Sequence, residues 1–163
     1  MILFVCTGNT CRSVMAEGLA RLLWERSGGD PRIKISSAGL APVEEEASPY
    51  ARELLSREGL SMDEHIPRRL TASLVREARL ILAMEEHHRR LIGERYPAAA
   101  GKLFLLKEFA GIGGDAPGIK DPFGGSREIY RRTLEEIREA VEKVIDKLAG
   151  KETLNFGEEE SDQ

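Results

Sequence analysis

The apolar positions of this chain switch repeatedly between short unbroken runs and stripes at helical spacing. Residues 2–6, ILFVC, form an unbroken apolar run, the pattern of a strand buried on both faces. Between residues 14 and 24 the period changes, and Met15, Leu19, Leu22 and Leu23 fall on one helical stripe before Gly28 and Gly29 stop it. This predicts strand, tight loop, helix. A second strand is expected over Ile33 to Ser37. Ser48-Pro49 then opens a helix with Tyr50, Ala51, Leu54 and Leu55 facing inward and Gly59 as its terminator.

The alternation continues to the end of the patterned region. Thr71 suits the cap of a short helix through Ala78, "RLILAM" (79–84) reads as a central strand, and Glu85 to Arg95 reads as a helix ending before Pro97. "KLFLL" (102–106) is the fourth strand. Residues 111–125 hold six glycines and two prolines, a long loop of the kind that carries function in compact domains. Ser126 then starts a helix with Tyr130, Leu134, Ile137, Val141, Val144, Ile145 and Leu148 on one face and Gly150 at its end. Strands alternating with helices imply an α/β fold, an open four-stranded, mainly parallel sheet with helices on both faces. In such sheets ligands bind beyond the carboxyl ends of the strands, where the first loop sits.

Composition narrows the class. The 163 residues are 41% apolar and 32% charged, the balance of one globular domain, expected over residues 1–150. No apolar run approaches the ~18 residues of a membrane span. The N-terminal run is short and has no basic segment before it, so the expected location is cytoplasmic, with Cys6 and Cys11 as thiols. The net charge of −4 gathers at one end: residues 151–163 carry one Lys against five Asp or Glu, leaving 23 basic and 23 acidic residues in the body. A neutral body gives no electrostatic case for nucleic acid or a membrane as partner, and a monomer is expected. The acidic segment 151–163 is expected to be a disordered tail.

The first loop, "CTGNTCRS" (6–13), carries the chemistry. Phosphate recognition needs converging backbone N–H groups, the positive end of a helix dipole and a guanidinium. Thr7, Gly8, Asn9, Thr10, Cys11 and Ser13 shape such a cradle, Gly8 and Asn9 because they tolerate positive φ, and Arg12 adds the clamp. Cys6, at the strand end, faces the centre, where the same field favours thiolate and makes it a nucleophile. Ser13 is placed to donate to that sulfur. The Cys-x5-Arg spacing alone is common by chance, and its position between strand and helix is what makes it specific. A small buried hydrophobe is the bland alternative for Cys6, and plain packing the one for Cys11, whose proximity to Cys6 suits a reversible disulfide.

The chemistry also needs an acid for the leaving group, which then serves as base toward water. In "KDPFGGS" (120–126), Asp121 lies in the glycine-rich loop and Pro122 holds it extended, although Asp-Pro by itself is usually a turn. His65, His87 and His88 have no ligand spacing, so surface or packing roles are expected, with no metal and no cofactor.

Taken together, CTGNTCRSVMAE and DPFGGS resemble the low-molecular-weight protein tyrosine phosphatases, and the match spans nearly all of residues 1–149. The resemblance implies that Cys6 is the nucleophile, Arg12 the phosphate clamp and Asp121 the general acid, that Asn9 holds the loop and Ser13 assists the thiolate, and that no metal is required. Val14 departs from the family pattern, where many relatives have proline. Thr10, where tyrosine-specific members usually have an aliphatic residue, and Phe123 followed by Gly124-Gly125-Ser126 resemble the bacterial protein arginine phosphatase branch. A hydroxyl at the pocket lip matches a guanidinium better than a phenyl ring, and glycines remove walls that would grip an aromatic.

The implied activity is hydrolysis of phosphoarginine on protein substrates through a phosphocysteine. The same family offers a tyrosine phosphatase instead. A thiol-dependent arsenate reductase would pass oxidation to further cysteines, and none follows Cys11. A phospho-binding module would need neither Cys6 nor Asp121.

Overall fold

The structure is a computed structural model that describes residues 1–150; the expected disordered tail, 151–163, lies outside the described residues. Its elements are β1 (Ile2–Cys6), α1 (Arg12–Arg26), β2 (Ile35–Gly39), α2 (Pro49–Arg57), α3 (Ala72–Glu77), β3 (Leu80–Ala83), α4 (Glu86–Arg95), β4 (Leu103–Leu105), α5 (Leu106–Phe109) and α6 (Arg127–Ala149). The strands form one sheet in the order β2-β1-β3-β4, with every neighbouring pair parallel.

The unbroken apolar run of β1 is divided by the pleat between two cores. Ile2, Phe4 and Cys6 join α1, α2 and α6 on one face, while Leu3 and Val5 join Val75 and Ile92 on the other. The stripe foreseen on α6 is buried at Tyr130, Leu134, Ile137, Val141, Val144 and Ile145. Each such aliphatic, fully buried, contributes roughly 1.5–3 kcal/mol before entropy is charged against it. Ser48, Thr71 and Ser126 cap α2, α3 and α6 by accepting from Ala51, Leu74 and Ile129 N–H.

Several boundaries differ from the sequence expectation. The second strand begins at Ile35 and runs to Gly39, because Ile2 pairs with Ile35 and Cys6 with Gly39. Its last four residues, SSAG, are small and show no apolar pattern. The fourth strand stops at Leu105, and Leu106 already belongs to the one-turn helix α5. Tyr50, expected to face inward, is 39% exposed, with its ring packed on that of Tyr130 at 5.3 Å.

α1 departs most from ordinary amphipathicity. Every residue from Arg12 to Ala20 is buried, so its first half is enclosed all round, polar side chains included. Arg12, Ser13 and Glu17 must therefore find partners within the protein.

Candidate active site

Residues 7–11 join the end of β1 to α1, and the carbonyls of Cys6, Thr7, Asn9, Thr10 and Cys11 have partners in the surrounding chain. Cys6 O accepts from Leu40 N–H at 3.0 Å, and Thr7 O, Thr10 O and Cys11 O accept from Ala41, Ser48 and Met15 N–H at 2.9 Å each. Asn9 O lies 2.9 Å from His65 Nε2. Across a trans peptide the carbonyl and the next N–H point in opposite directions, and the chain has no cis bond among its described residues. The amides of Thr7, Gly8, Thr10, Cys11 and Arg12 are thereby turned to the inside of the loop. At the start of α1 the capping residue Cys11 makes no side-chain cap bond, which leaves the helix terminus to an anion.

The loop can curl this tightly because of a residue outside it. A Cβ on Gly39 would stand 2.6 Å from Thr7 O and 3.0 Å from Asn9 N, so only glycine fits at the end of β2. Asn9 itself adopts φ 57°, the single positive value at a non-glycine among the described residues.

Asn9 is also the hub of a buried hydrogen-bond chain whose direction can be worked out. Its Oδ1 accepts from the Arg68 N–H at 3.0 Å, an obligate donor, which fixes the amide so that Nδ2 faces two hydroxyls. Nδ2 donates to Ser13 Oγ at 2.9 Å and to Ser37 Oγ at 2.8 Å. Ser37 passes its proton to Glu17 Oε2 at 2.8 Å, and Glu17 Oε1 accepts from Arg21 at 2.7 Å. Ser13, already accepting from Asn9, has its own proton free for Cys6 Sγ at 3.0 Å. Toward a thiolate, which can only accept, the serine is the donor of this pair and stabilises the charge.

Arg12 lies across the loop, 2% exposed. Its Nη1 donates to Glu85 Oε2 and, at 2.7 Å, to Ile119 O. Its Nη2 faces Asp121 Oδ2 at 3.6 Å. The loop that carries Asp121 is anchored by Ile119 N–H on Met84 O at 2.8 Å, so the turn after β3 holds both the arginine and the carboxylate's loop. Asp121 Oδ1 accepts from Phe123 N–H at 3.1 Å, while its side chain stays 48% exposed. Phe123 stands 71% exposed beside it.

Thr10 and Cys11 sit deeper than expected. Thr10 is buried, with Oγ1 3.5 Å from Cys11 Sγ, so its hydroxyl is turned into the loop and does not line an open lip. Cys11 is also buried and lies 3.3 Å from Tyr130 Oη. Burial, with Cys11 beside it, pushes the Tyr130 phenol up to about 12, so it remains a protonated hydroxyl.

Sequence patterning missed Glu17, Ser37, Gly39, Glu85 and Tyr130 as parts of the site, and it gave His65 and His88 only surface or packing roles. His65 supports the Asn9 carbonyl, and His88 contacts Thr7 Oγ1 at 2.8 Å. The one local signal was Glu17, a carboxylate inside a helix that is otherwise enclosed. Glu85, His87 and His88 bring potential metal-ligand atoms within 4.8 Å of one another. Both ring nitrogens of His88 and one oxygen of Glu85 are already engaged there, so a cation would have to displace those bonds. A cleft of about 790 Å³ along the start of β2, walled by Trp24, Ile33 and Lys34, includes none of Cys6, Arg12 or Asp121.

Comparison with known proteins shows the family and the fold. The family described as low molecular weight phosphotyrosine protein phosphatase matches residues 1–154. The protein-arginine-phosphatase of Bacillus subtilis is 38% identical over 148 residues, 90% of this chain and 95% of that one. The low molecular weight protein-tyrosine-phosphatase PtpB of Staphylococcus epidermidis is 37% identical over 146 residues, 88% of this chain and 95% of that one. A solved YwlE arginine phosphatase, a mutant with a phosphorylated active-site serine, superposes with a TM-score of 0.84 at 36% identity, covering 93% of this chain and 97% of that one.

Proposed function

This chain belongs to the low molecular weight phosphotyrosine protein phosphatase family, and we propose that within it the protein hydrolyses phosphoarginine on proteins. The observation that carries the mechanism is the directed chain from Asn9 through Ser13 to Cys6, set across the loop from the Arg12–Asp121 pair.

The phosphoryl group enters the loop with its oxygens on the inward amides and on Arg12. Cys6 thiolate attacks phosphorus, and the P–N bond breaks as Asp121 delivers its proton to the departing guanidine nitrogen. Asp121 carboxylate then takes a proton from water, whose oxygen attacks the phosphocysteine. Cys6 leaves as thiolate, stabilised by the proton that Ser13 donates. Orthophosphate is the second product. No step calls on a metal.

Two features support arginine over tyrosine. Thr10 stands inside the loop where tyrosine-specific relatives usually carry an aliphatic residue, and Gly124 and Gly125 follow Phe123 where further aromatics would grip a phenol. The likeness to a protein-arginine-phosphatase adds to them. A tyrosine phosphatase is the second reading, favoured by the exposed Phe123 at the mouth and by the likeness to PtpB. Steady-state kinetics on phosphoarginine, phosphotyrosine and arsenate, run side by side, separate these. Much faster phosphoarginine turnover is expected, and equal or better phosphotyrosine turnover overturns the arginine assignment.

A further inference from the structure

His88 is fully buried at the start of α4, yet both of its ring nitrogens are engaged by groups at the catalytic loop. Nδ1 accepts the backbone N–H of Glu85 at 3.1 Å. A backbone amide can only donate, so Nδ1 carries no proton, and the neutral ring bears it on Nε2. Burial, then the Arg12 charge and His87, lower His88 to about 3, so the ring is neutral at physiological pH. Nε2–H is therefore a fixed donor, and its acceptor is Thr7 Oγ1 at 2.8 Å.

Thr7 follows the nucleophile directly and is exposed at the loop. A hydroxyl has one proton and two lone pairs. With one lone pair occupied by His88, the rotor is no longer free, and the Thr7 proton must turn away from the imidazole. Because Thr7 is exposed, that proton is left for water or for an oxygen of a bound ligand. The acceptor this arrangement suits is an oxygen of a bound phosphoryl group.

We propose that His88 is a positioning residue for the phosphoryl site, holding the Thr7 hydroxyl as a donor to a phosphoryl oxygen. This rests on Cys6 to Ser13 being a phosphoryl site, and it adds a side-chain donor to the backbone amides and Arg12. The hydroxyl is oriented before substrate arrives, so no rotor entropy is spent on binding, and it gains strength as charge builds on the transferring group.

The test is a double-mutant cycle of the parent, Thr7→Val, His88→Asn and the pair. It is read by kcat/KM on phosphoarginine and by the inhibition constant of orthophosphate. Asparagine can still accept from Glu85 N–H but has no atom where Nε2 stood. Each single variant is expected to lose about five- to tenfold in kcat/KM and to bind orthophosphate more weakly. The pair should lose no more than about twofold beyond His88→Asn, because both changes remove one interaction. Thr7→Ser should restore most of the activity.

Losses that simply multiply, or a Thr7→Val protein equal to the parent, overturn the proposal. Should His88→Asn fail to give a cooperative thermal melt, imidazole nitrogen NMR of the parent decides. A protonated Nε2 whose resonance moves in Thr7→Val supports the proposal, and a protonated Nδ1 overturns it. A parent that neither hydrolyses phosphorylated substrates nor binds orthophosphate overturns the phosphoryl site and this inference together, whereas an active parent with independent losses overturns this inference alone.

Discussion

Asp121 Oδ2 stands 3.6 Å from Arg12 Nη2, so the half-exposed carboxylate of the site faces the guanidinium proposed to grip the phosphoryl group. A leaving group that departs from a phosphoryl held by Arg12 therefore departs toward Asp121. Asp121→Asn removes the transferable proton and keeps the shape. It should lower kcat on phosphoarginine by about 10²- to 10⁴-fold. The loss should be much smaller on nitrophenyl phosphate, whose leaving group needs little protonation. An equal loss on both substrates would show that Asp121 only positions Arg12.

Ser13→Ala leaves Cys6 Sγ without its donor and Asn9 Nδ2 without one of its acceptors. A fall in kcat of about tenfold or more is expected, with the phosphocysteine accumulating because thiolate is the leaving group of the second step. Rapid-quench measurement of the phosphoenzyme distinguishes this from a loss of substrate binding, which would raise KM alone.

Thr10→Ile fills the buried space beside Cys11 with an aliphatic group and removes the hydroxyl. The ratio of phosphotyrosine to phosphoarginine kcat/KM should rise. An unchanged ratio, with activity retained, would assign the preference to the Phe123-Gly124-Gly125 segment instead.

Cys11 shares the loop with Cys6 and lies against the protonated Tyr130 hydroxyl. As proposed partner in a protective disulfide, it should make peroxide inactivation of the parent reversible by dithiol. In Cys11→Ala the same treatment should carry Cys6 to irreversible acids. Reversal that is undiminished in the variant would count against the pairing.

His88 is lowered to about 3 in the folded protein, below its unfolded value near 6.5. Between those values the unfolded chain binds more protons, so stability is complete above pH 6.5 and is lost as pH falls toward 3. The slope should approach, as an upper bound, about 1.4 kcal/mol per pH unit. Denaturant titrations across that window should show the slope reduced in His88→Asn. Identical slopes would place the acid sensitivity elsewhere.

Much of this protein was legible in its letters. The apolar positions mark β1, β3, β4 and the major helices, because the burial of one face acts on residues close in sequence, whereas Ser36 to Gly39 of β2 carry no such pattern and are placed by pairing with β1. Ser48, Thr71 and Ser126 announce their caps for the same reason. Cys6, Asn9, Arg12 and Ser13 could be found together because one loop of eight residues contains them. What sequence alone determined was therefore an α/β chain with a Cys-x5-Arg loop, read as a phosphate cradle, at its first strand end and a carboxylate in a late glycine-rich loop.

Tertiary structure decided how that loop is held and aimed. Parallel pairing brings the carboxyl ends of β1, β2 and β3 side by side, and only there do Gly39, Ser37 and Glu85 meet residues 6–13. His65 and His88 lie 56 and 81 residues from the loop atoms they touch, beyond the reach of any periodicity. The hydroxyl of Thr10, open to the mouth in a linear view, is turned inward once Cys11 and the loop pack around it. A hydrogen bond has a direction only when its neighbours are placed, and so the proton that Ser13 gives to Cys6 belongs to the fold.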